Sequence, residues 1–389
     1  SHAVVPMKTL IINTDYFEFL HWFYGQCPDL SSQSFDTQLA RRMASLFGVA
    51  DFYSRAFAAA GHASQDLILN NEYLQRAWLA ENDKTVSFDR WSFRLRRGLF
   101  PWFSKVKDPA WMLNVLAAQL EYYQPDLILN IEMHFVPPLF WKKNKPKSSR
   151  LVGQISWIHN KTSEGNLKVV VPETQAWSVY DLVLSSFPTT IEYCQKIGVP
   201  AQLSRLAFEP SILNRFEGQT RDIPVSFIGA VGSGIHKSRL AWLNSVCSMI
   251  PVDVWTPSES FIPADSPIRQ RLHGNAWGTD MYGVLNRSAI TLNQHGDVPD
   301  HANNLRLYEA TGMGCLLITD WKPDLCEILR PGIECVAYRS DEECVEQILY
   351  YQNHPDEALQ IARAGQRRTL EEHNYDSRIH ACLKHLSMN

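Results

Sequence analysis

The sequence predicts an α/β protein of two successive domains, each a parallel sheet covered by helices on both faces. Three observations carry this. Short continuous apolar runs, such as LILNI at Leu127–Ile131 and CLLIT at Cys315–Thr319, have the length and composition of strands buried on both faces. Helical stretches alternate with these runs along the chain. At 389 residues the chain exceeds an ordinary single core, and the alternation restarts after the polar, turn-rich stretch from Phe208 to Pro224.

In order, the first strand candidate is Lys8–Asn13, ending in the polar turn Asn13-Thr14-Asp15. A helix is expected over Phe35–Ala60, closed by Gly61-His62, then a strand at Asp66–Asn70 and a helix at Trp111–Tyr123. Leu127–Ile131, Leu151–Ile158 and Asp181–Ser185 are further strands, and Lys142–Arg150 is a surface loop. The second half places strands at Val225–Ile228, Val252–Trp255, Ala289–Asn293, Cys315–Thr319 and Glu334–Tyr338. Its helices run over His236–Met249, Met281–Arg287, Leu305–Gly312, Leu325–Leu329, Asp341–Tyr351 and Pro355–His373. The division follows as residues 1–215 and 216–373, two Rossmann-like domains facing each other, with a cleft between them as the expected site.

Composition narrows the function. Hydrophobic residues make up 45% and charged residues 20%, a globular balance that excludes wholesale disorder. The net charge of −4 gives no global electrostatic reason to bind nucleic acid. None of the eight cysteines forms a C-x-x-C pair, which argues against a zinc ribbon or a thioredoxin-type centre. They lie in apolar segments and read as buried reduced thiols, which favours a reducing compartment. Lys8 is followed by a strand pattern rather than the apolar core of a signal peptide, and no apolar run reaches bilayer length. The expected location is cytoplasmic, with any membrane contact peripheral, at the inner face. The segment Arg90–Lys107 mixes Arg, Lys, Trp and Phe. It reads either as an interfacial surface reaching a lipid-linked acceptor or as a partly buried helix and loop with solvated arginines.

Two stretches carry candidate chemistry. Gly229–Gly234 follows a strand and opens a helix at His236-Lys237. Gly229 and Gly232 would let the backbone approach a ligand, the helix N-terminus favours phosphate, and Lys237 and Arg239 add charge. The stretch matches neither the P-loop nor the dinucleotide fingerprint, so an ordinary strand-to-helix turn remains the alternative. The densest polar cluster is Asp300–Glu309, following the strand end Leu292–Gly296. Asn303 or Asn304 would cap the helix, and Arg306, Tyr308 and Glu309 fall in its first turns. A cation there opposes the helix dipole unless an anion is bound. A carboxylate one turn in can accept both ribose hydroxyls while an Arg pairs with phosphate. The bland alternative is a capped helix whose Arg306 and Glu309 pair with each other.

The stretches NNLRLYEATGMGCLLITD (303–320), DLCEILRPGIECVAY (324–338) and IARAGQRRTLEEHNYDSR (361–378) resemble the C-terminal domain of CgeB-like, spore-maturation-protein-type glycosyltransferases. These are similar to the wider group 1 glycosyltransferases of the GT-B fold. LVGQISW (151–157), YDLVLSSFPTTIEY (180–193) and AFEP (207–210) resemble the same family more weakly. The resemblance implies a GT-B fold, a nucleoside-diphosphate-sugar donor, no cofactor and no metal; no D-x-D motif is present. It implies Glu309 on the ribose and Lys237 and Arg306 near the diphosphate. The nucleobase would lie near Trp255–Pro257 and His273–Gly278. Residues 374–389 would form a helix packing back on the N-terminal domain. Retaining relatives carry two glutamates framing seven residues, and the position eight before Glu309 is His301. That departure leaves the retaining mechanism unsupported and His301 as a donor-side contact.

An acceptor hydroxyl also needs a base within hydrogen-bond reach. Asp15, Glu132 and His134, and after them His159, follow strands of the first half and are the candidates. The expected function is sugar transfer to a glycan, lipid-linked or protein acceptor in bacterial surface-glycan synthesis. A sugar-nucleotide epimerase and a non-catalytic sugar-nucleotide or glycan binder are the alternatives, because a fold alone does not select a function.

Overall fold

The computed structural model describes the chain except residues 1–4, 96–100, 157–158, 162–166, 170–175, 217, 219, 233–235, 297–299 and 388–389. Of residues 94–95, 101–102, 159–161, 167–169 and 176 it describes the backbone alone. Two compact units emerge. The first comprises Ser1–Ser45 and Val49–Leu203, the second Leu46–Gly48 and Ser204–Asn389.

The first unit holds β1 (Lys8–Asn13), β2 (Ala63–Ile68), β3 (Asp89–Leu95), β4 (Pro101–Lys107), β5 (Leu127–Asn130), β6 (Arg150–Gln154), β7 (His159–Lys161), β8 (Leu167–Val169), β9 (Leu182–Ser185) and β10 (Ala201–Leu203). Six of these form one sheet in the order β10-β9-β6-β5-β1-β2, parallel throughout. Every residue of β5 and β9 is buried, as strands covered on both faces require. The chain runs from β1 to β2 on one side and returns to β5 on the other. The carboxyl ends of β1 and β5 therefore flank the reversal point, where such sheets take ligands.

The second unit repeats the plan with β11 (Ile223–Ile228), β12 (Asp253–Trp255), β13 (Ser288–Asn293), β14 (Leu316–Asp320) and β15 (Val336–Tyr338), in the order β12-β11-β13-β14-β15. All pairings are parallel, and the reversal lies between β11 and β13. Val225, Phe227, Trp242, Leu243, Ile290 and Ile318 belong to its core. Gly365 brings the helix Pro355–Glu372 against the chain before β15, where a Cβ would stand 2.3 Å from the Glu334 carbonyl oxygen.

The α/β class and most strands follow the sequence reading, and four features depart from it. The stretch expected as one helix over 35–60 is two, Phe35–Ala44 and Phe52–Ala59. Leu46, Gly48 and Ala50 between them take positive φ, which ends the first helix. In the segment Arg90–Lys107, read in one alternative as a partly buried helix and loop, the described residues belong to the antiparallel pair β3–β4. The loop expected from Lys142 begins inside a helix, Pro138–Asn144. The units divide after Leu203 rather than after residue 215. Arg378 binds the carbonyls of Arg205 and Leu206, and the Phe208 amide donates to the His373 carbonyl, which draws residues 204–215 into the second unit. The last helix, Tyr375–Ser387, groups with that unit as well.

Cys194, Cys247, Cys315, Cys335, Cys344 and Cys382 are buried as expected, while Cys27 is half-buried and Cys326 exposed. Burial pushes the thiols of Cys194 and Cys315 up to about 11 and those of Cys247, Cys335 and Cys382 to about 12. Among the described residues no helix is long and apolar enough to cross a membrane.

Asp66 of β2 is buried, with Ser54 Oγ donating to it at 2.6 Å. Burial pushes its carboxyl up to about 7, against the pull of Ser54; Asp51 adds to the rise and Arg42 opposes it. An unfolded Asp titrates near about 3.9. Between those values the folded chain keeps a proton that the unfolded chain has released, so this group lowers stability as pH rises from about 4 to about 7. Denaturant unfolding should show a loss of at most about 1.4 kcal/mol per pH unit across that window, absent in Asp66→Asn. An unchanged profile in that variant would contradict the assignment.

Candidate functional site

In the second unit the chain reversal between β11 and β13 is lined by arginines. Arg239, in the helix Lys237–Met249, donates to the carbonyls of Ala230 and Gln294, bridging the segments that follow β11 and β13. Arg306, in the helix Leu305–Gly312, donates to the carbonyl of Ile228, the last residue of β11, at 3.0 Å. Its Nη1 lies 3.0 Å from Met281 Sδ and 3.4 Å from Glu309 Oε1. Its Nε is buried with no hydrogen-bond partner among the described residues.

The other predicted donor-side residues take distinct places. Asn304 is the cap: its Oδ1 accepts from the Arg306 amide at 2.8 Å, and Asn303 stands half-buried beside it. Glu309 is 7% exposed. Burial pushes its carboxyl up, with Arg306 and a Tyr282 hydrogen bond opposing that rise. The intrahelical Arg306–Glu309 pair, the bland alternative of the sequence reading, is therefore present. Tyr308 faces away from this group: it is buried, with its ring edge-on to His373, so it serves the core rather than the strand ends. His301 Nδ1 lies 3.2 Å from Asp324 Oδ2, and Asp324 also accepts the Ala302 amide.

Gly229 and Gly232 are needed locally. A Cβ at Gly229 would stand 3.2 Å from the Phe227 ring. Gly232 has φ +83°, and a Cβ there would stand 2.5 Å from Phe261 Cβ. Gly234 lies outside the described residues. Lys237 is exposed in the first turn of its helix, where backbone amides and a cation together favour an anion. At the end of β12, Trp255 stacks on His273 at 4.5 Å, and His273 Nε2 lies 2.7 Å from Asp253 Oδ1.

One pair escaped the sequence reading. Asp320, closing β14, accepts from the His295 amide and lies 2.7 Å from His295 Nδ1. Burial pushes the Asp320 carboxyl up, but the His295 hydrogen bond and charge outweigh it and hold it below its ordinary range. The His295 ring is buried, and its Nε2 has no hydrogen-bond partner among the described residues. Asp320 also lines a cavity of about 380 Å³ with Trp242, Gln294, Trp321, Tyr338 and Arg339. Both residues immediately follow or close apolar strands, LNQH and LLITD, and that position was the available signal.

In the first unit the three base candidates separate. Asp15 is clamped: Arg42 Nε and Nη2 reach its two carboxylate oxygens at 2.6 Å each, and both side chains are buried. Asn70 holds its backbone on both sides, accepting from the Asp15 amide and donating to its carbonyl. Both carboxylate oxygens are engaged by a buried guanidinium, which makes Asp15 a structural anchor rather than the expected base open to a substrate hydroxyl. Glu132, just past β5, is half-buried; burial raises its carboxyl above the ordinary range, and hydrogen bonds to Thr14 oppose the rise. His134 is exposed, and the His159 side chain lies outside the described residues. A cavity of about 630 Å³ opens nearby, lined by Phe17, His21, Tyr24, Asn71, Tyr73 and Arg76 among others.

Residues 240–384, all within the second unit, match the family model described as glycosyl transferase-like. No curated protein matches the sequence. Solved structures match over nearly the whole chain. Sucrose-phosphate synthase from Thermosynechococcus elongatus aligns at 10% identity and TM-score 0.58, covering 98% of this chain and 99% of that one. A glycosyltransferase from Rickettsia africae aligns at 11% and 0.56, covering 97% of each chain. Anabaena HepE in complex with UDP-glucose aligns at 9% and 0.58, covering 98% and 100%. The fold is GT-B. At these identities the likeness establishes the fold alone.

The Asp15–Arg42 clamp predicts a stability effect. Removing one partner leaves the other charge buried and unpaired, so Arg42→Ala and Asp15→Ala should each cost about 3–5 kcal/mol in urea unfolding. The double variant should cost less than the sum of the two. Single variants with wild-type stability would contradict a structural role.

Proposed function

We propose that the protein is a CgeB-like glycosyltransferase that moves a sugar from a nucleoside diphosphate to a glycan, lipid-linked or protein acceptor in bacterial surface-glycan synthesis. The observation carrying this reading is the placement of Arg239, Arg306 and the Lys237 helix start around the carboxyl ends of β11 and β13. The glycosyl transferase-like match over 240–384 supports it, as does the shared fold with a protein solved with UDP-glucose. In this reading the second unit holds the donor and the first unit the acceptor, at the cytoplasmic face.

Departure of a nucleoside diphosphate places negative charge on its outer phosphate. Lys237, Arg239 and the helix amides would offset that charge without a metal. Trp255 and His273 would face the base. Glu309 would accept ribose hydroxyls, a role that requires the buried carboxylate to be shared with Arg306 and Tyr282. On the acceptor side Glu132 would take the proton of the attacking hydroxyl as that oxygen bonds to the anomeric carbon. Its raised carboxyl makes it a stronger base than an ordinary glutamate.

Two measurements test this. In a thermal-shift series with UDP, GDP, ADP, CDP and dTDP, at least one should raise the unfolding temperature. Saturation at a hundredfold over Kd corresponds to about 2.7 kcal/mol. Lys237→Ala should weaken that binding by about tenfold, equivalent to about 1.4 kcal/mol. No shift with any diphosphate would remove the donor site. Glu132→Gln should lower kcat by about a hundredfold or more, leave diphosphate binding intact and abolish the acid limb of the pH profile. In the unaltered protein that limb should lie above the ordinary carboxylate range. Wild-type turnover in the variant would exclude Glu132 as the base.

A further inference from the structure

Two cavities of the first unit join into one groove. The cavity of about 630 Å³ lies between the helix Phe17–Gln26 and the start of the helix Glu72–Glu81. A second, of about 460 Å³, continues along the latter helix past Ser32, Gln33 and Ser34 to Ala80 and Glu81. Ser31, Tyr73 and Arg76 line both, so the two are continuous. Each has the size of a small-molecule site. Ten helical residues extend about 15 Å, which is longer than a single sugar ring.

The side chains at the junction are held in place by the protein. Tyr24 is buried; its hydroxyl donates to Gln38 Oε1 at 2.8 Å and accepts from Asn71 Nδ2 at 2.9 Å. Tyr73 leans on the Tyr24 ring at 4.6 Å, yet is 50% exposed, so it offers an aromatic surface where the cavities meet. Phe17, 72% exposed, adds a second ring in the first cavity. Arg76 is paired with Glu72 at 2.7 Å and lies over the Phe88 ring at 3.8 Å, while Glu72 is also held by Lys107. Side chains fixed beforehand lose little freedom when a ligand arrives. The groove also reaches the base candidate. Asn70, which lines the first cavity, binds the backbone of Asp15, and the neighbouring Thr14 bonds Glu132.

The lining indicates the ligand. Glu72 and Glu81 stand against Arg76, so there is no cationic excess to hold a polyanion. Along the outer cavity Tyr73, Ala77 and Ala80 are interspersed with Ser32, Gln33 and Glu81. That leaves no continuous apolar strip for an acyl chain or for the apolar face of a peptide helix. A pyranose ring has an apolar C–H face and a rim of hydroxyls that both donate and accept. The face packs on exposed aromatic rings, and the rim bonds amide, carboxylate and guanidinium groups. We infer that the groove binds a neutral oligosaccharide of more than one sugar, with one ring on Tyr73 and the chain following the helix Glu72–Glu81. Taking that chain as the acceptor, its end presented to Glu132, rests on the sugar-transfer reading; the binding itself does not.

The test is titration calorimetry of the full chain with glucose, galactose, mannose and N-acetylglucosamine, and with a pentasaccharide built from each. At least one pentasaccharide should bind, and its monosaccharide should bind about tenfold more weakly or less. Tyr73→Ala should weaken the pentasaccharide about tenfold, the scale of one aromatic contact, and Tyr73→Phe should bind like the unaltered protein. Ala77→Trp, which fills the outer cavity, should also weaken it about tenfold. Leu359→Ser, exposed elsewhere on the molecule, should have no effect. Thermal unfolding verifies that each variant is folded, and Ala77→Trp decides the matter if Tyr73→Ala is not. Several results would overturn the inference. One is no binding of any pentasaccharide, or equal binding of pentasaccharide and monosaccharide. Another is Tyr73→Ala and Ala77→Trp variants that bind like wild type. Heparin binding that Tyr73→Ala abolishes, with no neutral sugar bound, would assign the groove to an anionic chain instead. A diphosphate thermal shift without pentasaccharide binding would remove the groove and leave the sugar-transfer reading standing. Pentasaccharide binding without any diphosphate shift would do the reverse.

Discussion

The guanidinium of Arg306 fixes the arrangement on which the second unit's strand ends depend. It reaches the carbonyl that closes β11, the sulfur of Met281 in the helix Thr279–Arg287, and Glu309 one turn along its own helix. A cation in a first helical turn is unfavourable on its own. Here it is answered by a carbonyl dipole and a carboxylate, and the helix start is capped by Asn304. The entry point of the helix Leu305–Gly312 is thereby set relative to the sheet, and with it residues 300–304 that lead into it.

The two units handle the same topological problem differently. In each, the first strand lies between neighbours reached in opposite directions, which leaves a crevice at the carboxyl edge. Beside the first crevice, buried Arg42 is met by both oxygens of Asp15, and the charge is cancelled within the protein. At the second, Arg239 reaches across the reversal to two backbone carbonyls. A buried ion pair beside one crevice and an arginine spanning two backbone carbonyls at the other are different solutions on a common plan.

Local pattern made much of the fold legible. Lys8–Asn13 and Leu305–Gly312 have the predicted bounds, because apolar runs bordered by polar turns and caps are short-range signals. The break at Leu46 and Ala50 was illegible, since neither residue type advertises positive φ. Strand alternation in 89–107 was present in Trp91 and Phe93, but the density of arginines obscured it. The candidate sites divide in the same way. Asn304 as a cap is local and was readable. Asp15 looked like a base because its partner is 27 residues away, and His295 received no role because Asp320 is 25 away. Pairings at such separations are created by strand order, which no local pattern displays.

The distribution of the thiols has a chemical consequence. Reaction with oxidants and electrophiles runs through the thiolate, and burial has pushed most of the cysteines so far toward the protonated form that they carry almost no thiolate at neutral pH. Cys326 is the exposed one among the described residues. It sits in the short helix Leu325–Ile328, between the Asp324 that holds Ala302 and the Glu327 that pairs with Arg205. Oxidative wear on this protein would therefore concentrate at one turn, and a thiol-directed spectroscopic label would report from the same place, next to the loop that leads into the helix of Arg306.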